Sequence, residues 1–460
     1  MSAPKRFSVL RDPVHGDVYL THEEMRLLDT PEMQRLRGVK QLGTTYLAYP
    51  GAMHTRFDHS IGTLHMTRRM IEAMRLNADL DPRACLGVGE HEERVIRIAA
   101  LIHDVTHIPF GHNIEDQTGL FHRHDSEYRF RHMLDSGTAL GAELARLGLA
   151  DDVLSILLCD EADAGGPVPA FWSQVVSDTI CSDILDYLQR DAYFTGLKLQ
   201  IDPRITSYFK VDRETGNLFI DLTKRDLLRE DILSEVVRML EARYYFSERV
   251  YYHHAKVSAG ALVARAVELA VQADVVSEAD FYGQTDASLL DMLARRAERA
   301  GPDVQRRINN MLARFHGRRL LKRACVFPRY ANEKAQDGLV ERFFSPGRRD
   351  ERVAVEERVA DLVRFATGES VEIIVYCPAA SMQLKEAQTH VRWPGEEAVQ
   401  PLSRFAAHVP RLADLERSYR DLWKFYVFAD TSDPRLLQRV QEIACEEFVG
   451  ATNVYRIEGV

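Results

Sequence analysis

Apolar and polar positions alternate with period two over residues 6–20, around RDPVHGD, which predicts a short hairpin or an extended arm. From Glu23 the spacing becomes helical, EEMRLLDTPEMQRLRGVKQLG, and Asp29-Thr30-Pro31 ends one helix and starts the next. Residues 59–76 and 92–104 carry apolar side chains on a helical repeat. Further helices are predicted over 125–135, 138–158, 172–195 and 226–272. Within this helical series, SYFKVDRETGNLFIDL (207–222) predicts a hairpin turning near Thr215-Gly216-Asn217, and DEADAGGPVP (160–169) predicts a loop. Residues 284–324 read as helical with a basic end, GRRLLKR.

The pattern changes after about residue 325. VEIIVYC (371–377) and WKFYVFA (423–429) read as buried strands, and PRLLQRVQEIACEEF (434–448) as an amphipathic helix. SPGRRDERVAVEERVAD (345–361) is a charged connection running into a helix. The expected architecture is mainly α-helical with small β-hairpins over 1–325, followed by a C-terminal α+β subdomain over 326–460 that forms an oligomer contact or a lid.

A chain of 460 residues makes one large or two to three ordinary domains, and 45% hydrophobic with 28% charged residues is a globular composition. The net charge of −10 argues against a general nucleic-acid binder but leaves room for a local basic pocket. Six scattered cysteines without a CxxC pair suggest reduced thiols and a cytoplasmic location. The opening MSAPKRFSVLRDPVHG lacks the apolar core of a signal peptide. No apolar run approaches the roughly 18 residues that a membrane span needs.

The candidate chemistry lies in LIHDVTHIPFGH (101–112), where an apolar run ends in His103, Asp104, His107 and His112. Burying such groups costs several kcal/mol unless something satisfies them. A metal ion would do so, and so would a solvated helix end. Upstream, HTRFDHS opens a second helix with Arg56 and His59; downstream, SDILDYLQRD sets Asp183, Tyr187 and Asp191 four apart on one helical face. Two histidines and two aspartates make a mixed N/O set suited to one divalent ion: Mn, Mg, Fe, Ni or Zn. Four protein ligands leave open positions for water and a phosphate oxygen.

The order H…HD…D and the segments RDPVHGDVYL, LLDTPEMQRLRGVKQLG, YPGAMHTRFDHSIG, IAALIHDVTHIPFGH and DILDYLQRDAYFTG resemble the HD-domain deoxynucleoside triphosphate triphosphohydrolases. The likeness is to the SAM-and-HD-domain branch in its bacterial form without a SAM domain, over residues 6–325. It implies an HD-domain phosphohydrolase fold with one metal ion per subunit on His59, His103, Asp104 and Asp183. Arg56 and Arg243 would grip phosphates, and His107, His112, Glu115 and His124 would form the catalytic cluster. In that cluster His112 would donate a proton to the departing 5′-oxygen, Glu115 would orient it, and His107 and His124 would touch phosphates. Gln41, Leu42, Tyr187, Asp191 and Tyr251 would form the sugar pocket. Gln41 and Asp191 would bond the 3′-hydroxyl, and Leu42 and Tyr251 would exclude a 2′-hydroxyl. Water would attack the α-phosphorus, releasing a deoxynucleoside and inorganic triphosphate.

In the same resemblance Val9, Asp29, Gln34 and Arg37 would bind the guanine of a GTP or dGTP activator at the interface of a homo-oligomer, a dimer or tetramer. By pattern alone they are a helix cap and surface polar residues. Three positions depart from the family: Ile184 replaces a lysine of the vertebrate relative, Thr106 a glycine, and Ser8 a basic residue. Ile184 keeps open an HD-domain phosphohydrolase acting on another nucleotide (a monophosphate, a modified nucleotide or an alarmone); a non-catalytic nucleotide-binding regulator is a separate alternative, against which the metal set and His112 speak. His54, His65, His122 and His132 read as solvated or hydrogen-bonded, His15 as a turn residue, and Asp186 as surface or support for the ligands. His253-His254 with Lys256 read equally as a phosphate contact or a wet helix face.

Overall fold

The fold is described from a computed structural model covering residues 7–159, 168–345, 347–377 and 388–458. The alternating arm pairs as a hairpin, β1 (Ser8–Asp12) with β2 (Gly16–Leu20). Two short helices follow, α1 (His22–Leu28) and α2 (Pro31–Arg35), divided where Asp29-Thr30-Pro31 predicts. The long α3 (Arg56–Leu80) starts at Thr55, whose side chain accepts from the Asp58 amide while Asp58 accepts from the Thr55 amide. This capping box fixes the first turn, which carries Arg56 and His59. Next come α4 (Glu90–Ile102), α5 (Gly111–Thr118) and α6 (Glu127–Met133).

Three predicted long helices are interrupted. The 138–158 segment forms α7 (Ala139–Leu147) and α8 (Ala150–Leu157), because Gly148 takes a left-handed conformation, φ +68°, that ends the first. The 172–195 segment forms α9 (Ala170–Val176) and α10 (Ser182–Thr195), which starts afresh at Cys181 in extended conformation. The predicted hairpin is β3 (Phe209–Val211) with β4 (Leu218–Asp221), and the ribbon β5 (Thr223–Lys224) with β6 (Leu227–Leu228) occupies the start of the predicted 226–272 helix. That helix becomes α11 (Glu230–Phe246), a π turn over Ser247–Tyr251, and α12 (His254–Gln272). Of the 160–169 loop, residues 160–167 lie outside the described residues.

Residues 284–324 form α13 (Asp286–Ala297) and α14 (Pro302–His316), and the basic end opens a strand, β7 (Lys322–Pro328), rather than finishing a helix. Its run of buried side chains from Ala324 to Pro328 is drawn into sheet pairing with a partner about a hundred residues away, which local helix propensity does not anticipate. Then follow α15 (Arg329–Phe344), α16 (Arg349–Thr367), β8 (Ile373–Tyr376), β9 (His390–Arg392), β10 (Gln400–Pro401), α17 (Pro410–Arg420), β11 (Lys424–Ala429) and α18 (Pro434–Glu447). Strand β11 lies between β7 and β8 in an antiparallel sheet, and β9 adds parallel to β4, giving the order β10-β9-β4-β3. The C-terminal segment therefore docks into the helical body through both sheets.

The core runs along α3, whose Met66, Met70, Ile71 and Met74 are buried, and along α4 from Val95 to Ile102. Packed on this core is His65, its ring stacked on His15 at 4.9 Å between centroids. Burial, reinforced by the charges of His15, Arg69 and Arg68, pushes the His65 pKa down to about 4. The unfolded chain then binds more protons than the folded one between about pH 4 and 6.5, so stability falls as pH drops through that window. His65→Gln is expected to shrink the fall in Tm between pH 6.5 and pH 4.5; an unchanged fall would exclude His65 as a source.

Candidate active site and metal centre

Three helices deliver the predicted metal ligands to one place. His59 sits in the first turn of α3, His103 and Asp104 follow the last turn of α4, and Asp183 lies in the first turn of α10. His59 Nε2 is 2.8 Å from Asp183 Oδ1 and 3.8 Å from Asp104 Oδ2. Its Nδ1 donates to Asp186 Oδ2 at 2.7 Å. His103 donates from Nδ1 to the Ala100 carbonyl at 2.8 Å, so in the neutral ring its Nε2 carries the lone pair. That Nε2 is buried without a hydrogen-bond partner, 3.6 Å from Asp104 Oδ1 and 3.7 Å from Asp183 Oδ1. In the neutral ring, a lone pair facing two carboxylates is repulsive unless a proton or a metal ion lies between them, and against its burial the two carboxylates do raise the His103 pKa.

The donors of His59, His103 and Asp104 all fall within 4.8 Å of one another, and each histidine gives its other nitrogen to an oxygen. This is the arrangement of metal-ligating histidines, so the residues fit a divalent ion. Burial alone would raise Asp104, but Arg56 at 2.6 Å and the adjacent imidazoles hold it well below the usual carboxylate range.

Asp186 is the residue whose importance the helical-face argument understates. It is fully buried and binds His59, His15 Nε2 at 2.6 Å and Arg190, which also reaches Asp12 at 2.8 Å. His15 is thus part of the support behind the ligands rather than only a turn residue. Asp186→Asn is expected to weaken metal binding by about 10–100-fold. Metal content after dialysis against a graded chelator series checks this, and wild-type retention would count against it.

The predicted catalytic cluster follows a tight turn. Phe110 takes a left-handed conformation, φ +56°, and starts α5. His107 stacks on His124 at 3.9 Å, and His112 meets both rings edge-on at 5.2 and 4.8 Å. Glu115 lies against His124, whose Nδ1 is 3.1 Å away, and against the buried Arg129, which Glu278 holds from the other side at 2.9 Å. The carboxylate beside His112 is instead Asp116, at 3.5 Å from its Nδ1. Burial and Arg56 push His107 well below the usual imidazole range, and burial lowers His124 against the pull of Glu115.

These groups open on a cavity of about 500 Å³. Arg56, His59, Asp104, His107, His112, His124 and Asp183 line it together with Gln41, Leu42, Tyr187, Asp191, Arg243 and Tyr251. Gln41 Oε1 and Arg243 Nη1 are buried there without partners, and among the described residues no carboxylate comes within 4.0 Å of Arg243. Tyr251 donates to Asp191 Oδ2 at 2.6 Å, and His54 holds the other oxygen at 2.8 Å. His103 and Glu115 stand behind the lining.

Lining residues that sequence reasoning did not assign include Lys40, Asn113, Asp116, Arg123 and Tyr252, and Tyr376 and Tyr419 from the C-terminal segment. Tyr376 ends β8, and its strand reads only as buried core, so no local signal marks it. Lys256 lines the cavity and donates to the Tyr251 carbonyl at 3.0 Å, while burial pushes its pKa down to about 8. His253 instead caps α12, accepting from the Ala255 amide. His122 binds Glu278 at 2.8 Å and His132 lies against the Tyr282 ring. The four residues of the activator set do not line this cavity. Val9 and Asp29 are exposed, and Arg37 covers the Phe57 ring while donating to Gln34 at 2.9 Å.

The family described as HD domain matches residues 56–160, and the family described as HD associated region matches residues 221–449. An uncharacterized protein of Methanocaldococcus jannaschii is 30% identical over 288 residues, covering 62% of this chain and 54% of that one. The deoxynucleoside triphosphate triphosphohydrolase SAMHD1 homolog of Dictyostelium discoideum is 29% identical over 332 residues, covering 70% and 60%. The chain spans between about half and 60% of the length of these curated relatives. In fold, it is similar to the crystal structure of a hypothetical protein from Aquifex aeolicus, with a TM-score of 0.66 at 22% identity, covering 95% of this chain and all of that one.

Proposed function

We propose that this chain, an HD-domain protein carrying an HD-associated region, is a metal-dependent phosphohydrolase that converts deoxynucleoside triphosphates to deoxynucleoside and inorganic triphosphate. The observation that carries the reading is one cavity whose lining, with His103 just behind it, leaves several demands unmet, three of them chemically distinct. These are a lone pair that needs a cation at His103, a guanidinium that needs an anion at Arg243, and an acceptor that needs a hydroxyl at Gln41. When bound, a divalent ion on His59, His103, Asp104 and Asp183 supplies positive charge to phosphoryl oxygens and makes water a better nucleophile.

The chain's own residues do the rest. Arg56 and Arg243 hold the phosphates and neutralise charge that spreads over their oxygens. His112 gives a proton to the leaving 5′-oxygen, with Asp116 at its Nδ1 to set the ring. Gln41 Oε1 accepts from the 3′-hydroxyl, and Leu42 with Tyr251 closes the space of a 2′-hydroxyl. Five lining cations (Lys40, Arg56, Arg123, Arg243, Lys256) face four lining carboxylates (Asp104, Asp116, Asp183, Asp191). The difference is +1, or +3 with a divalent ion, which suits a polyphosphate and offsets the lysine absent at Ile184.

Activation by a guanine nucleotide through Val9, Asp29, Gln34 and Arg37, in a cytoplasmic homo-oligomer, belongs to the same proposal; the exposure of Val9 and Asp29 away from the cavity supports it. Residues 326–460 would then serve as a subdomain that walls the cavity with Tyr376 and Tyr419. Ile184, buried and apolar beside Asp183, favours one second reading: an HD-domain phosphohydrolase on another nucleotide.

The test is incubation with each dNTP, with and without GTP, in Mn²⁺ or Mg²⁺, resolving products by ion-exchange chromatography. Deoxynucleoside plus intact triphosphate is the expected result. His112→Ala is expected to lower kcat by about 10²–10⁴-fold with metal still bound. No product from any of the four dNTPs in the metal-loaded protein would sink the reading and direct the search to monophosphates and modified nucleotides.

A further inference from the structure

Asp286 opens α13, where an acidic residue ordinarily caps or complements its own helix. Here its carboxylate faces away from that role. It is buried, at 3% exposure, and its two oxygens accept from two backbone amides remote in sequence. Oδ2 accepts from the Lys40 amide at 3.0 Å, and Oδ1 accepts from the Phe110 amide at 3.2 Å. Lys40 precedes Gln41, the acceptor in the cavity, and Phe110 is the left-handed residue that starts the helix carrying His112.

The surrounding contacts point the same way. A Cβ on Gly38 would come within 2.4 Å of the Thr285 side chain, so the 38–40 segment lies directly against the start of α13. Arg35 donates to the Val105 and His107 carbonyls at 2.8 and 2.9 Å and to the Gln284 carbonyl at 3.2 Å. The metal-to-proton-donor loop is thus tied to the same helix start by a second route.

We infer that Asp286 is a positioning residue that fixes the sugar-contacting segment at Gln41 and the proton donor His112 relative to each other. The inference rests on the function proposed above for the direction of its kinetic effect, though not for the clamp itself. Two amide donors need two acceptor oxygens. A carboxylate supplies both, whereas an asparagine supplies one and turns an NH₂ group against the other amide. Misplacing catalytic groups by about 1 Å costs on the order of 10²-fold in rate.

Asp286→Asn is the test, read on dNTPs and on 2′,3′-dideoxynucleoside triphosphates. The expected result is a fall of about 10²-fold in kcat/KM for dNTPs with bound metal unchanged. The dNTP-to-dideoxy preference is expected to collapse as well, because Gln41 no longer shares a frame with His112. An equal loss on both substrates, or a loss that tracks metal content, would overturn the inference. Amide hydrogen exchange gives a readout independent of turnover. Faster exchange at both Lys40 and Phe110 in the variant supports the clamp even if the wild type hydrolyses no dNTP, and wild-type protection at both overturns it.

Discussion

Asp104→Ala is expected to remove turnover, by at least about 10³–10⁴-fold in kcat/KM, and to lower bound metal well below one ion per chain. The side chain faces four groups at once, His59 Nε2 at 3.8 Å among them. It accepts from Arg56 at 2.6 Å, lies 3.2 Å from His107 Nε2 and faces His103 Nε2 at 3.6 Å. Removing it takes away a metal donor and leaves the buried Arg56 guanidinium without its carboxylate. Asp104→Asn keeps the volume but not the charge, so it is expected to fail in the same way. His112→Ala, which leaves the donor set intact, is expected to keep its metal while losing rate. Metal analysis beside product chromatography separates the two variants. An Asp104→Ala protein retaining a tenth of wild-type turnover would exclude Asp104 from the reaction.

The largest effect on stability is expected away from the cavity, at Glu356. This residue of α16 is fully buried and accepts from the Val375 amide at 2.8 Å, from Arg352 at 3.1 Å and from Arg265 of α12. Glu268 on α12 also binds Arg352, while Arg307 and Arg265 reach Glu372 at the rim. Two buried arginines therefore face two buried glutamates. Glu356→Ala leaves both guanidiniums partly uncompensated, and breaking a buried pair costs about 3–5 kcal/mol. Urea unfolding followed by fluorescence should show the midpoint falling accordingly. A midpoint unchanged within error would mean that the network relaxes around the loss. Turnover is expected to fall too, because α12 carries Lys256 and β8 carries Tyr376 into the cavity.

Local pattern carried a large part of this molecule. The period-two arm, the Asp29-Thr30-Pro31 division, the 207–222 hairpin and the two C-terminal strands all form where short-range spacing puts them. The candidate metal donors can be read from the sequence for a related reason. His59, His103, Asp104 and Asp183 each sit at a helix end, and a polar group closing an apolar repeat is visible in one dimension.

Other features depended on contacts across the chain. The breaks in three predicted long helices were not legible, since helical periodicity continues across a turn such as that at Gly148. Asp286 reads as an ordinary helix start and Tyr376 as strand core, and Asp186 falls one step off the ligand face. Asp286 and Asp186 acquire their places from partners 127 to 246 residues distant, Lys40, Phe110 and His59. Glu115 and Asp116 are neighbours in sequence, and only the position of Arg129 and His124 decides that the first leaves His112 to the second.

The sequence by itself therefore determined which stretches are mainly helical and the donor types that they carry, because these follow from side-chain period and local hydrogen bonding. Only the tertiary structure decided which buried atoms are left without partners, because satisfaction of a polar group depends on everything packed around it. In this protein those unmet groups include His103, Arg243 and Gln41, and the proposed function rests on them.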